Sequence, residues 1–170
     1  MTRTLILIRH AKSAWDDPLL ADHDRPLNDR GWQAAARVGA WLARQGLVPE
    51  AALVSSALRA QQTWARLAER LPSPPLPETV PRLYHAGPDV MLAALQGARG
   101  GCVAMVGHNP GIAWFARQLL SRPPGHPRFA DYPTGATLVA RFDVPDWSAV
   151  SFGTGAAVDF VVPRALPEVG

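Results

Sequence analysis

The amino-acid sequence predicts an α/β protein, a three-layer α/β/α sandwich around a largely parallel central sheet. Two observations carry this. Short, wholly apolar runs recur along the chain: TLILI (residues 4–8), AALVS (51–55) and CVAMV (102–106). Strands that are apolar at every position, not at alternate ones, are buried on both faces. Between them lie segments with apolar residues at helical spacing, and alternation of strand and helix is the pattern of a parallel sheet covered by helices. A length of 170 residues is enough for one well-filled core and short for two, so a single domain over residues 1–170 is expected.

The elements follow in order. The first strand, residues 4–8, leads directly into Arg9, His10 and Lys12. Asn28, in RPLNDRG, caps a helix that runs to about Gln45, with Ala35, Val38 and Leu42 on one face and Gly46 as the stop. After the strand at 51–55, Ser56 is expected to cap a second helix from Ala57 to about Arg70, ended by Pro72. Six prolines between residues 72 and 88 make a stiff surface connection with a brief edge strand near 78–82. A shorter helix begins near Pro88 and ends at Gly97, before the strand at 102–106. Asn109 followed by Pro110 reads as a cap with proline at the first helical position, opening a helix through Leu120. SRPPGHPRFADYPTG, residues 121–135, is a loop placed to lie over a site as a lid, and TLVARF (137–142) and AVDFVV (157–162) are the last strands.

Composition excludes several classes. Seventeen Lys and Arg against 14 Asp and Glu leave a net charge of only +3, with no run of four or more cations, which speaks against nucleic acid as a partner. No stretch approaches membrane-spanning length, and the apolar run at the start is too short for a secretion signal. Cys102 is the sole cysteine, so no intramolecular disulfide forms; a small core residue in a cytoplasmic protein is the expected reading.

Three segments share one plan: an apolar strand, a polar turn, a residue suited to holding an anion, and a helix next. LIRHAKSAWD supplies Arg9 and His10, SSALRAQQT supplies Arg59, and VGHNPG supplies His108. The C-terminal ends of parallel strands border the crevice where α/β proteins bind ligands, so these four side chains are expected to converge. Helix starts and arginine forks together suit a dianion such as a phosphoryl group. A histidine among arginines stays neutral near pH 7 and keeps a lone pair for attack on phosphorus. The remaining cations then stabilise charge on the transferring group, and neither metal nor cofactor is called for. Singly, each signal is weak: an Arg-His pair after a strand is usually a polar sheet edge, and Arg59 alone reads as a solvated helix residue. Their joint placement at three strand-to-helix turns carries the inference.

In this order and spacing, these motifs resemble the histidine phosphatase superfamily, and RHAKS, DRPLNDRG and YPTGAT resemble its SixA-type phosphohistidine phosphatase branch, over about residues 4–142. The resemblance implies a phosphoglycerate-mutase-like fold, His10 as nucleophile, Arg9 and Arg59 as phosphate-binding arginines, and His108 as the second histidine of the pocket. It implies as substrate phosphohistidine on a partner protein; a small phosphate ester, or a non-catalytic phosphoprotein-binding role, is the alternative. Two positions depart from the wider pattern. Ala11 stands where many relatives have glycine. No carboxylic acid matches the usual proton donor; His85 lies in the corresponding region, and Asp16 and Asp17 follow the nucleophile. Asp16 and His85 are therefore the residues considered for that role. His23, between Asp22 and Asp24, lacks the second histidine that a metal site wants, and Asp24 and Arg25 are expected to anchor the loop. His126 is expected in solvent, and Trp32, Trp41 and Trp64 in helix packing.

Overall fold

The apolar runs of the sequence become the middle of one six-stranded sheet. A computed structural model of the chain describes residues 1–169. Its elements are β1 (Thr2–Arg9), α1 (Asp29–Arg44), β2 (Ala51–Ser55), α2 (Leu58–Ala68), β3 (Pro77–Val80), α3 (Pro88–Gln96), β4 (Cys102–Gly107), α4 (Gly111–Leu119), β5 (Thr137–Asp143) and β6 (Ala156–Val161). The strand order is β3-β2-β4-β1-β5-β6. The first four in that order are parallel; β5 runs antiparallel to β1, and β6 antiparallel to β5. No helix among the described residues is long and apolar enough to cross a membrane.

The central strand shows why a continuous apolar run is needed. Leu5, Ile6, Leu7 and Ile8 are all fully buried. Successive side chains of a strand point to opposite faces. Leu5 and Leu7 pack with Met91, Ile112 and Phe115 from α3 and α4, whereas Ile6 and Ile8 pack with Val38, Leu42 and Trp64 from α1 and α2. Helices on both faces give the three expected layers. Trp41 and Trp64 are buried in the second cluster, and Trp32 packs against a smaller one around Ala11, Leu27 and Ala35. Cys102 is half-buried, and burial pushes its thiol up to about 11.

Helix boundaries differ from expectation in two places. Asn28 caps α1 as predicted, its side chain accepting from the Gly31 N–H at 2.9 Å. Ser56 does not cap α2. That helix starts after Ala57, whose N–H donates to Ser55 Oγ, while Ser56 Oγ meets His23 Nε2 at 2.9 Å. Asn109 does not cap α4 either: the helix starts at Gly111, and the Asn109 amide donates to the carbonyls of Asp131 and Tyr132 at 2.8 and 3.1 Å. The 121–135 loop is largely exposed over residues 121–128 and is anchored at its C-terminal end. Phe129 and Tyr132 are buried, and the Tyr132 hydroxyl donates to the Leu7 carbonyl at 2.6 Å while accepting from the Leu138 N–H at 3.2 Å. Burying a tyrosine with both hydroxyl roles satisfied fixes this end of the loop to the sheet.

Candidate functional site

Strands β1, β2 and β4 are adjacent and parallel, so their C-terminal ends lie along one edge of the sheet. Arg9 closes β1, His10 follows it, His108 follows β4, and Arg59 stands in the first turn of α2. These four and His85 line one cavity of about 490 Å³, with Lys12, Asp22 and Arg25 also on its walls. The convergence expected from three distant segments is thus present. Asp16 is not brought in; it is exposed and lines a neighbouring depression. Asp17 is also exposed and accepts from the Leu19 N–H.

The turn after β1 is held in place by its neighbours. The Ala11 N–H donates to Thr63 Oγ1 at 2.9 Å, and that hydroxyl donates to the Arg59 carbonyl at 2.7 Å, tying the turn that carries His10 to α2. Gly31 lets α1 approach this turn: a Cβ there would lie 2.1 Å from the Lys12 carbonyl oxygen. On the other side, a Cβ at Gly111 would lie 1.9 Å from the Ala86 carbonyl oxygen, beside His85.

His10 and His108 are 6% and 7% exposed, with ring centroids 5.0 Å apart. His10 Nδ1 lies 2.7 Å from the Ala11 carbonyl oxygen. A carbonyl only accepts, so Nδ1 carries the proton and Nε2 keeps its lone pair. His108 Nε2 meets Ser55 Oγ at 2.7 Å. Burial pushes both imidazoles down to about 3, helped by Arg59 in each case and by Arg9 and Arg25 at His10. Both are therefore neutral at pH 7, with desolvation outranking the positive neighbours as the cause.

Asp22 is the residue whose role sequence reasoning missed. It sits in a 3₁₀ turn, Asp22–Asp24. Its carboxylate accepts from Arg25 through Nε and Nη2 at 3.2 and 3.0 Å, from Arg59 Nη2 at 3.0 Å, and from the Tyr84 hydroxyl. Its backbone carbonyl takes Arg59 Nη1 at 2.6 Å. The Tyr84 hydrogen bond and the two arginines hold this carboxyl well below the usual carboxylate range, against the opposing effect of burial. Arg25 completes the corner by donating to Ser13 Oγ at 2.9 Å and lying 3.4 Å over the Trp15 ring. The spacing Asp22-to-Arg25 is a local hint, but the partners at 59 and 84 carry no sequence signal. Among the described residues no group of three His, Cys, Asp or Glu is arranged to hold a metal ion. His126 is remote, its ring 5.0 Å from Phe160.

A cavity lined by three arginines and a lysine against one fully committed carboxylate, with two buried neutral histidines, has the chemistry to receive a phosphoryl group beside a group able to attack it. Comparison with known proteins agrees with this chemistry. The family model of the histidine phosphatase superfamily (branch 1) matches residues 5–87. The uncharacterised protein Rv1276c of Mycobacterium tuberculosis (strain H37Rv) is 35% identical over 164 residues, covering 92% of this chain and 100% of that protein. Phosphohistidine phosphatase SixA of Escherichia coli K12 is 29% identical over 119 residues, 68% of this chain and 73% of that one. The solved structure of a SixA-type protein from Nakamurella multipartitia superposes with a TM-score of 0.82 at 26% identity, covering 97% and 98% of the two chains. The chain belongs to the histidine phosphatase superfamily, and its fold is the phosphoglycerate-mutase-like α/β sandwich.

Proposed function

We propose that the protein hydrolyses phosphohistidine on a partner protein through a phosphohistidine formed at His10. The observation that carries this is the state of the carboxylates. Asp22, on the cavity wall, is locked as an anion by Tyr84, Arg59 and Arg25 and has no proton to give. Asp16 lies outside the cavity. An alkoxide leaving group gains about 100-fold or more from a general acid. A phosphohistidine imidazole leaves on a far less basic nitrogen, and needs only a proton from solvent. His10 Nε2 attacks phosphorus, the P–N bond to the substrate imidazole breaks, and that nitrogen takes up a proton. Water then displaces phosphate from His10. Arg9, Arg59 and His108 stabilise the equatorial oxygens in both steps. The likeness to SixA supports the same substrate class.

His85 favours the second reading, a phosphatase of small esters, because it lines the cavity and an imidazole can act as a proton donor. One panel separates the readings: phosphate release from a histidine-phosphorylated protein, a sugar phosphate and a nucleotide, with EDTA present. Wild type and His126→Ala release phosphate from the protein, and His10→Ala releases none. His85→Ala keeps phosphohistidine turnover. Comparable wild-type turnover of the sugar phosphate, lost in His85→Ala, would establish the ester reading instead. Binding without release from any substrate would make the protein a phosphoprotein-binding module.

A further inference from the structure

The sequence holds no cationic run, yet the fold builds a cationic hollow next to the phosphoryl cavity. A depression of about 270 Å³ is lined by Lys12, Arg30, Arg128 and Arg164, with Pro133 and Thr134 between them. It shares Lys12 and Thr134 with the phosphoryl cavity, so the two adjoin. The cations come from four separate places: the turn after β1, the first turn of α1, the 121–135 loop and a 3₁₀ turn, Pro163–Ala165. Arg128 is paired with Asp131 at 2.9 Å. Lys12, Arg30 and Arg164 are exposed and have no ion-pair partner among the described residues. Glu168, the carboxylate nearest Arg164 in sequence, is taken by Arg37 at 3.3 Å. Like charges gathered around one hollow repel, and an anionic occupant turns that repulsion into attraction.

We infer that this hollow is the docking subsite for an acidic flank of the phosphorylated partner, a stretch with carboxylates beside the phosphohistidine; this rests on the function proposed above. A phosphoryl group at His10 fixes one end of the substrate. Because the two hollows adjoin at Lys12 and Thr134, a second anionic group on the same molecule lies within reach of the cationic one. A protein segment supplies such groups at a set spacing from the phosphorylated residue. The cations read the flank, and Arg9 and Arg59 hold the phosphoryl group.

The test compares three probes: free phosphohistidine, a phosphohistidine peptide flanked by glutamates, and the same peptide with glutamines. Wild type is expected to favour the glutamate peptide over the glutamine peptide in kcat/KM by about tenfold, a preference that shrinks with added salt. The double variant Arg30→Glu/Arg164→Glu erases or reverses that preference while turning over free phosphohistidine at the wild-type rate. Arg44→Glu, a single charge reversal at the far end of α1, leaves the preference intact. Equal wild-type kcat/KM for the two peptides, or a preference that survives the double variant, overturns the subsite. A wild type that hydrolyses a sugar phosphate and none of the three probes overturns the phosphohistidine reading itself, and the subsite with it. Loss of free phosphohistidine turnover in the double variant would place the two arginines in the phosphoryl site and overturn the docking role.

Discussion

At Asp22, three donors from different parts of the chain meet one carboxylate. Arg25 approaches from the same turn, Arg59 from α2 and Tyr84 from the turn after β3. Asp22 thereby fixes the fork of Arg59, which otherwise has a long flexible stem at the edge of the cavity. An Asp22→Asn change keeps the size but removes the charge that holds two guanidinium groups. We expect kcat/KM for a phosphorylated substrate to fall about tenfold, a cost of about 1.4 kcal/mol in the transition state, with Asp22→Glu recovering part of it. Unchanged kinetics in Asp22→Asn would remove it from the positioning of Arg59. The four residues Arg9, His10, Arg59 and His108 were legible because each lies in a short motif at a strand end. Asp22 was not, since its significance comes from residues 37 and 62 positions away.

At the level of elements, the site depends on how closely helices approach the turns that carry the histidines. Gly31 and Gly111 stand where α1 and α4 touch the Lys12 and Ala86 carbonyls. A Cβ at Gly111 requires the turn bearing His85 to move away from α4. Gly111→Ala should therefore lower stability by about 1–3 kcal/mol, readable as a drop in thermal midpoint, and disturb the cavity wall at His85. A wild-type midpoint would mean that the two segments separate without cost. The strands and most helix ends were readable from apolar runs and from Gly and Pro punctuation. Two caps, Ser56 and Asn109, were misplaced because capping depends on where a side chain is directed. Ser56 meets His23, and Asn109 meets the carbonyls of a loop 22 and 23 residues further on.

Across the whole molecule, the buried neutral histidines couple the site to global stability. His10 and His108 titrate near 6.5 when unfolded and at about 3 when folded. Between those values the unfolded chain binds more protons, so stability is complete above pH 6.5 and falls as pH drops toward 3. The slope is up to about 1.4 kcal/mol per pH unit for each histidine. Asp22, held low by its donors, adds a further loss in more acid solution. Urea midpoints measured from pH 7.5 to 4.5 should decline for the wild type and decline less steeply for His10→Gln; parallel lines would show that His10 does not contribute.

The sandwich and the four residues Arg9, His10, Arg59 and His108 that line the cavity were written in the order of residues along the chain. Both are local patterns: a strand buried on two faces must be apolar throughout, and parallel strands must present their C-terminal ends together. Folding in three dimensions was needed to show which carboxylate reaches the cavity, that Tyr132 anchors the end of the 121–135 loop, and how cations from residues 12, 30, 128 and 164 come to surround one hollow. These depend on distances between residues far apart in the chain, and a sequence records order, not separation in space.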